Sequence, residues 1–398
     1  MSRRPIYLDH HATTPVDPRV VDAMAPYWTE EFGNASSATH LYGWRAEAAV
    51  EQAREELAAA IGAADPREIV FTSGTTESNN LALAGIARAQ RGRRDHLVAC
   101  AIEHPAVLDT ARALAEHEGC MVSELPVGDG GLVDPEAVRG AIGPRTALVS
   151  IAAANSEIGT LQPIAEIAAV CRAAGVAFHS DAAQAVGKVP IDVRRDGIDL
   201  LSFCAHKLYG PKGIGALYVR RGGRQPLTLA PLLYGGGHER GLRSGTTPVP
   251  LVVGFARAVS LCLADREAEA ARLTALRDRL FAGLCQALPG QVLCNGDPKR
   301  RLPGNLNVSF AGARSDALLA ALHDVALSAG SACASARGEP SHVLRALGLP
   351  PERVRGALRF GLGRGTTEAE IDTVIARVAE EVSKAREGAG GPVRVRST

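Results

Sequence analysis

Three short segments of the chain place polar side chains directly after apolar runs that are typical of strands. One run leads into Ser73-Gly-Thr-Thr76 and then a helical pattern. A strand that turns into a helix N-terminus exposes backbone N–H groups and suits an anion such as phosphate. Another run ends in Asp181, a carboxylate able to hold a proton on a heterocyclic nitrogen, and a third is followed by Lys207 and a glycine-rich turn. A lysine held inward there has a nucleophilic amine.

Each segment alone also has an ordinary structural interpretation. Thr75 or Thr76 would cap the helix, Asp181 would accept local hydrogen bonds, and Lys207 would lie on a solvated face. Together, and in this chain order, the segments match what pyridoxal 5'-phosphate needs from a protein. These needs are a phosphate anchor, a carboxylate that keeps the pyridinium protonated, and a lysine that bonds to the cofactor aldehyde. We therefore predict a pyridoxal phosphate site.

The elements that must position these residues follow from the apolar periodicity. Short runs rich in Val, Leu and Ala, without strict alternation, indicate strands buried on both faces, and intervening helical patterns indicate a mainly parallel sheet. The predicted strands are Ile69–Thr72, Leu97–Ala101, Met121–Leu125, Ala147–Ala153, Val176–His179, Leu200–Phe203 and Ala216–Val219. The predicted helices among them include Thr76–Gln90, Pro105–His117 and Ile164–Ala174. Side chains at the carboxyl ends of such strands converge on one edge of the sheet, where ligands bind.

A second set of elements follows the large α/β region. A long helix is predicted over Pro250–Gln286, and a smaller α+β region then contains strands Leu306–Phe310, Ala326–Ser328 and Ala357–Leu362 and helices Ser315–His323 and Glu368–Arg386. We predict an N-terminal arm over residues 1–14 that packs on the small domain and a large cofactor domain over 15–250. The long helix and small domain occupy 251–386, and a disordered tail occupies 387–398.

Composition excludes several classes of protein. The chain has 398 residues with 44 Lys and Arg against 43 Asp and Glu, a net charge of +1 that argues against direct nucleic-acid binding. No run reaches the ~20 apolar residues of a membrane span, and no secretory leader is evident. The eight cysteines contain no CxxC pair or zinc-like spacing, so we expect reduced thiols, a cytoplasmic location and no resident metal.

Longer motifs give the chain a family resemblance. Tyr7–Pro15 (YLDHHATTP), Thr72–Asn79 (TSGTTESN), Glu103-His104, Ser180–Gln184, His206-Lys207 with Gly210–Gly213, and Arg243–Thr246 (RSGT) occur in order. The chain resembles the cysteine desulfurases over roughly Ile6 to Ala385. Ser331–Ser335 (SACAS) and Glu339–Leu347 (EPSHVLRAL) are similar to the NifS/IscS-type group. The resemblance implies a fold-type I pyridoxal phosphate transferase, an α/β fold with a large mainly parallel-sheet domain and a smaller α+β C-terminal domain.

The resemblance also implies roles for individual residues. Lys207, Cys333 and His104 are the implied catalytic residues, and Asn34, Asn155 and Arg359 the implied substrate ligands. The implied cofactor ligands are Thr75, Thr76, His104, Asn155, Asp181, Gln184, Cys204, His206, Lys207 and, from the partner subunit of a homodimer, Thr246. Cys204 departs from the family pattern, which has a phosphate-binding Ser there. His10 and His11 are expected to be structural or close to the substrate.

The residues around Cys333 support a nucleophilic role independently of the family. The segment Ser328–Gly338 consists almost entirely of small residues, which have little apolar surface to bury. A buried free cysteine is the default alternative. A reactive one also needs a lowered pKa or a nearby base. Such a cysteine would capture sulfur as a persulfide and could transiently contact an iron–sulfur cluster.

These expectations combine into one predicted function. The enzyme would convert L-cysteine to L-alanine and pass the sulfur to an acceptor or scaffold protein, for iron–sulfur cluster assembly or tRNA thiolation. The glycine-rich segment Gly235–Gly245 would cross the interface of a homodimer with shared active sites. The alternatives are another class V pyridoxal phosphate enzyme (a selenocysteine lyase, a kynureninase-like hydrolase or an aminotransferase) and a non-catalytic homologue acting as a scaffold.

Overall fold

The computed structural model describes residues 4–222, 227–330 and 340–389. Its strands are β1 (Ile6–Tyr7), β2 (Ile69–Thr72), β3 (His96–Cys100), β4 (Met121–Leu125), β5 (Thr146–Ser150), β6 (Ala177–Asp181), β7 (Leu200–Cys204), β8 (Gly215–Val219), β9 (Val292–Cys294), β10 (Asn305–Phe310), β11 (Val325–Ala326) and β12 (Ala357–Gly361). Its α-helices are α1 (Pro18–Met24), α2 (Pro26–Thr29), α3 (Leu41–Ala60), α4 (Thr75–Ala89), α5 (Pro105–Glu118), α6 (Pro135–Ala141), α7 (Ile164–Ala173), α8 (Val249–Ala287), α9 (Ser315–Ala321), α10 (His342–Ala346), α11 (Pro351–Arg355) and α12 (Glu368–Ala389).

Seven strands form the central sheet in the order β2-β8-β7-β6-β5-β3-β4. Strand β8 runs antiparallel to both of its neighbours, and the other pairings are parallel. Most of these strands are buried along their whole length, because helices cover both faces of a parallel sheet. The predicted α/β fold with a large, mainly parallel sheet is confirmed.

Helix α8 joins the central sheet to a second apolar core. Its N-terminal half packs in the core of the large sheet through Val252 and Phe255, whereas Leu276 and Leu280 lie in the second core. A helix of 39 residues is about 58 Å long at 1.5 Å per residue, long enough to reach both cores.

The second core lies between the small sheet and helix α12. The small sheet has the order β12-β10-β9, with antiparallel pairing. Helix α12 buries Ile371, Val374, Val378 and Val382, an apolar stripe at helical spacing. The N-terminal segment lies against this region, since β1 pairs in parallel with β11. The boundaries between domains remain a prediction.

The structure corrects one boundary of the sequence prediction. The predicted tail begins at residue 387, but α12 continues to Ala389, because Lys384–Glu387 are good helix formers and the single Gly388 does not end the helix. Residues 390–398 lie outside the described part of the chain. Within the described part, no helix is long and apolar enough to cross a membrane.

Candidate active site

The carboxyl ends of five central strands open onto one cavity of about 570 Å³. The turns after β2, β3, β5, β6 and β7 supply its floor, and the N-terminal segment and β12 close its sides. Ten of the thirteen site residues predicted from the sequence line this cavity. They are Thr75, Thr76, His104, Asn155, Asp181, Gln184, Cys204, His206, Lys207 and Arg359.

The turn after β2 forms an open helix N-terminus. Gly74 is the N-cap of α4 with φ of +152°, and no side chain of the described residues caps the helix there. The capping alternative for Thr75 and Thr76 is therefore wrong, and the first-turn N–H groups remain available for an anion. A Cβ on Gly215 of β8 would lie 2.7 Å from the Gly74 Cα, so β8 needs a glycine at this point to approach the turn.

Asp181 is a buried carboxylate held by neutral donors. Its Oδ2 accepts a hydrogen bond from Asn79 Nδ2 at 2.7 Å, and its Oδ1 accepts one from the Ala183 N–H at 2.9 Å. Within the described ranges it makes no ion pair with a basic side chain. A buried carboxylate without a cationic partner is costly, and a protonated ring nitrogen in the cavity would supply one.

Lys207 directs its amine at the main chain of the N-terminal segment. Its Nζ donates to the carbonyl oxygens of His11 and Ala12 at 2.5 and 2.6 Å. Removal from water lowers the pKa of Lys207, and the positive charge of Arg359 acts in the same direction. The solvated-lysine alternative is therefore wrong, and the amine has the properties of a nucleophile and base.

His104 and Asn155 lie at neighbouring strand ends. His104 is the N-cap of α5, and its Nδ1 accepts the Ala106 N–H at 3.0 Å. Burial lowers the pKa of His104, so the ring is neutral and carries its proton on Nε2. Asn155 uses Oδ1 to cap the N–H groups of Glu157 and Ile158, and its Nδ2 donates to the Ile102 carbonyl. One amide proton of Asn155 remains for a ligand.

Gln184, His206 and Cys204 contribute neutral groups to the cavity. Gln184 exchanges two hydrogen bonds with His11, one to the ring and one to the carbonyl. His206 Nδ1 lies 3.2 Å from Thr13 Oγ1, and burial lowers the pKa of His206 to about 4, so its ring is neutral. Burial also raises the pKa of Cys204, so it stays an uncharged thiol and a weak donor.

Arg359 is the largest fully buried side chain in the described structure. It projects from β12, where Nη2 donates to Asp9 Oδ1 at 2.7 Å and Nη1 donates to the Ser156 carbonyl at 3.1 Å. Its Nε has no hydrogen-bond partner among the described residues. A buried guanidinium with an unpaired N–H is suited to a carboxylate ligand.

Three predicted site residues are not brought into this cavity by the described chain. Asn34 is exposed, and its Oδ1 accepts the Ser36 N–H. Thr246 is also exposed and does not line the cavity of its own chain. Cys333 lies outside the described residues. The roles of all three remain predictions.

The sequence prediction missed several residues that complete the site. Asp9 orients Arg359, and Lys188 donates to Gln184 at 2.9 Å. Glu103 lines the cavity, and burial raises its pKa well above its ordinary value. One signal in the sequence pointed to Lys188: the chain contains only five lysines, and Lys188, Lys207 and Lys212 are close together in sequence.

Comparisons with known proteins agree with this geometry. The sequence model of the family described as Aminotransferase class-V matches residues 6–374. The cysteine desulfurase IscS of Anaeromyxobacter dehalogenans (strain 2CP-C) is 53% identical over 383 residues, covering 96% of this chain and 94% of that protein. The chain belongs to the cysteine desulfurases of the class-V aminotransferase family. The resemblance predicted from the sequence motifs is thereby confirmed.

Two solved structures have the same fold. A NifS-like protein superposes with a TM-score of 0.88 and 36% identity, covering 96% of this chain and all of that one. A structure described as SspA in complex with cysteine gives a TM-score of 0.78 and 39% identity, covering 90% and 98% of the two chains. These matches favour the cysteine desulfurase over the alternatives that the sequence left open.

The cofactor of this family is pyridoxal 5'-phosphate, and the cavity fits it. The open N-terminus of α4 suits the phosphate, the buried carboxylate of Asp181 suits a protonated ring nitrogen, and Lys207 supplies an amine for the aldehyde. All three groups line one cavity.

Proposed function

We propose that this enzyme transfers sulfur from L-cysteine to the thiol of Cys333. The C–S bond of the substrate breaks, an S–S bond forms on Cys333, and L-alanine leaves, so that cysteine and thiol become alanine and persulfide. The observation that carries the proposal is the convergence of Lys207, Asp181 and Arg359 on one cavity. The SspA structure contains cysteine, which supports cysteine as the substrate here.

Pyridoxal phosphate, when bound, supplies an electron sink for the bond-breaking steps. We propose that Asp181 keeps the ring nitrogen protonated, since it has neutral donors and no basic partner among the described residues. Thr75, Thr76 and His206 would hold the phosphate at the open helix end. Asn155 and Gln184, each with an amide proton still available, would donate to the phenolic oxygen of the cofactor.

Lys207 is proposed to take the Cα proton of the substrate. Because burial lowers its pKa, its amine is more readily neutral near pH 7 than an exposed lysine and able to act as a base. The carbonyls of His11 and Ala12 stabilise the ammonium that results, since each accepts an N–H from it. His104, with its proton on Nε2, is the candidate donor and acceptor for protons on the sulfur side.

Arg359 is proposed to bind the substrate carboxylate. Its Nε has no partner in the described part of the chain and its Nη2 is held by Asp9, so the guanidinium is oriented before substrate arrives. A carboxylate that spans Nε and Nη2 would form the bidentate pair that arginine favours. We propose Asn34 as a second ligand of this carboxylate.

We propose that the enzyme acts as a homodimer in which Thr246 contacts the partner's phosphate site. Two exposed apolar segments support an interface, because large exposed apolar patches mark contact surfaces. Trp28, Phe32 and Trp44 are between 52% and 63% exposed, and Tyr234, near the loop that carries Thr246, is 81% exposed.

We propose a protein as the acceptor of the persulfide sulfur, within iron–sulfur cluster assembly or tRNA thiolation. We also propose a cytoplasmic location, since Cys333 must be a reduced thiol in each cycle and the cytoplasm keeps thiols reduced.

The test is to incubate the cofactor-loaded enzyme with L-cysteine and a thiol reductant. Sulfide and alanine should appear in equal amounts. Lys207→Ala should lose the visible absorbance of the bound cofactor, whereas Cys333→Ser should keep that absorbance and lose sulfide release. Cys120→Ser, at a partly buried cysteine remote from the cavity, is the matched control and should change neither. A loaded enzyme that releases no sulfide would refute the proposed reaction, and a fully active Cys333→Ser would refute the assignment of the nucleophile.

A further inference from the structure

A chain of hydrogen bonds connects Lys207 to a second lysine of the site, Lys188. Lys188 Nζ donates to Gln184 Oε1 at 2.9 Å. Gln184 Nε2 in turn donates to the His11 carbonyl at 2.9 Å, the same oxygen that accepts the Lys207 amine. The two amines are therefore joined through one amide and one main-chain oxygen.

Both lysines also line a small cavity of about 50 Å³, separate from the large one. This volume is enough for a water molecule. Titratable and charged groups face Lys188 here from the N-terminal segment, from the turn after β7, from α8 and from the segment after β12. These groups are His10, His11, Lys207, Tyr209, Cys262, Asp265, Arg266, Glu269 and Arg364, with Cys204 and Arg359 acting from the side of the large cavity.

No ion pair neutralises Lys188 within the described residues. Its hydrogen-bond partner is the neutral amide of Gln184. By contrast, Lys384 on α12 is exposed and pairs with Glu380 and Glu381. A buried amine without a carboxylate releases its proton more easily than one that is paired.

The choice of residue type agrees with this environment. Of the 44 basic residues only five are lysines, and the other 39 are arginines. An arginine keeps its charge under all ordinary conditions, whereas a lysine loses its proton when it is buried. At position 188 this chain therefore has a side chain that can lose its proton, and not one with a permanent charge.

We propose that Lys188 and Lys207 act as a coupled pair of buried amines that hold a single proton between them in the neutral pH range. Lys188 carries the proton while Lys207 is bonded to the cofactor, and transfers it to water in the small cavity when Lys207 takes a proton from the substrate. Lys188 is thus a positioning residue for charge: it keeps the net charge next to the reacting lysine constant. The catalytic consequence rests on the proposed function of Lys207.

The electrostatics support the coupling. Burial, and then the charge of Lys207, lower the pKa of Lys188 to about 7, while the nearby thiols of Cys262 and Cys204 oppose the shift. Two like charges in a poorly solvated site disfavour each other, so protonation of one amine weakens proton binding at the other. Burial lowers the pKa of His11 well below its ordinary value, and the charge of Lys188 acts in the same direction; His11 lies between the two lysines in the hydrogen-bond chain.

The first experiment follows the lysine side chains by NMR in holoenzyme labelled with 13Cε-lysine. Only five lysine signals are expected, and Lys188→Met identifies that of Lys188. Lys188 should titrate near neutral pH, whereas the exposed Lys384 stays charged to well above pH 9. A Lys188 side chain that stays charged up to pH 9 would overturn the proposal. This result does not depend on the activity of any variant.

The second experiment measures the coupling itself with two variants of Lys207. Neither Lys207→Met nor Lys207→Arg can bond to the cofactor, but the arginine retains the positive charge. The Lys188 midpoint should be about one pH unit higher in the Met variant, a tenfold difference in proton affinity. Equal midpoints would refute the coupling. If Lys207 were not the cofactor lysine, both variants would keep the cofactor absorbance, and the difference in midpoints would still be measured.

The third experiment changes Lys188 and follows the pH profile of kcat. Lys188→Arg places a fixed charge beside Lys207 and should lower kcat about tenfold while shifting the profile. Lys188→Met removes the charge and should cost less, although it loses more hydrogen bonding. A merely structural Lys188 would give the opposite order and an unshifted profile.

Discussion

A buried ion pair anchors the glycine-rich segment Gly235–Gly245 to the edge of the central sheet. Arg54 donates from Nη1 and Nη2 to the two carboxylate oxygens of Glu239 at 2.8 and 2.9 Å, and the two side chains are 4% and 6% exposed. The pair also covers the free side of strand β2: Glu239 accepts the Phe71 N–H, and Arg54 donates to the Ile69 carbonyl. An edge strand needs such partners, because it otherwise presents unpaired groups.

We predict that Glu239→Gln destabilises the fold by about 3 kcal/mol, the lower end of the range for removing one partner of a buried pair. The amide keeps the volume and the acceptor for Phe71, but it leaves the buried Arg54 guanidinium with only one anionic partner among the described residues, the half-exposed Glu51. Glu239 and Arg240 also have φ values of +50° and +59°, and such left-handed residues cost about 1 kcal/mol or more each. The ion pair holds the segment against that strain.

The assay is urea unfolding of the wild type and the variant under identical conditions. The matched control is Glu136→Gln, which breaks a pair with Arg139 whose side chains are 70% and 58% exposed and should cost less than about 1 kcal/mol. Arg54→Met combined with Glu239→Gln should recover much of the loss, because no charge of the pair is then left buried and the amide still accepts the Phe71 N–H. A Glu239→Gln variant as stable as the Glu136→Gln control would refute the reasoning.

Three further predictions concern the core and the phosphate site. Cys204→Ser should tighten cofactor binding up to tenfold in a dissociation titration. The reason is that a hydroxyl is a stronger hydrogen-bond donor than a buried thiol whose pKa is raised. Unchanged binding would show that this side chain does not contact the phosphate. Gly74→Ala should weaken cofactor binding and lower the free energy of unfolding by about 1–3 kcal/mol, since φ of +152° is unfavourable for a residue with a Cβ. The control is Gly140→Ala, in a helix with open space around the added Cβ. Burial lowers the pKa of His179 to about 3, so the unfolded chain binds a proton below about 6.5 that the folded chain does not. The stability that His179 contributes above pH 6.5 is therefore lost as the pH falls towards 3, by about 1.4 kcal/mol per pH unit. His179→Gln should flatten the dependence of the urea midpoint on pH between pH 6.5 and 4.5. A variant whose urea midpoint depends on pH as steeply as that of the wild type would contradict this.

The central strands could be predicted to within a few residues because their apolar runs are short and end at polar residues. Strand β4 begins and ends at the predicted residues, and β2 does too. Once the sheet is known to be parallel, the rule that strand ends converge brings Asp181 and Lys207 to one edge. This part of the site depends only on local sequence and on one topological rule.

Other parts of the fold carry no comparable local signal. Helix α3 has 20 residues but no counterpart in the prediction, because alanines and charged residues give it only a weak apolar stripe. Gly43, near its start, also weakens the helical pattern. The helix is instead stabilised by packing against α8, about 200 residues later in the chain.

The contacts that tune the site are the hardest to predict, because they join distant positions through groups that every residue has. Asp9 and Arg359 are 350 residues apart in the chain, and the partners of the Lys207 amine are main-chain carbonyls. Every residue has a main-chain carbonyl, so the residue types at His11 and Ala12 do not indicate that their carbonyls bind the Lys207 amine. What does determine their position is the pairing of β1 with β11, which fixes how far the N-terminal segment extends over the cavity. A change of side chain at Ala12 should therefore matter less than a one-residue deletion between Tyr7 and His11, which would move both carbonyls away from Lys207 while leaving every predicted site residue in the sequence.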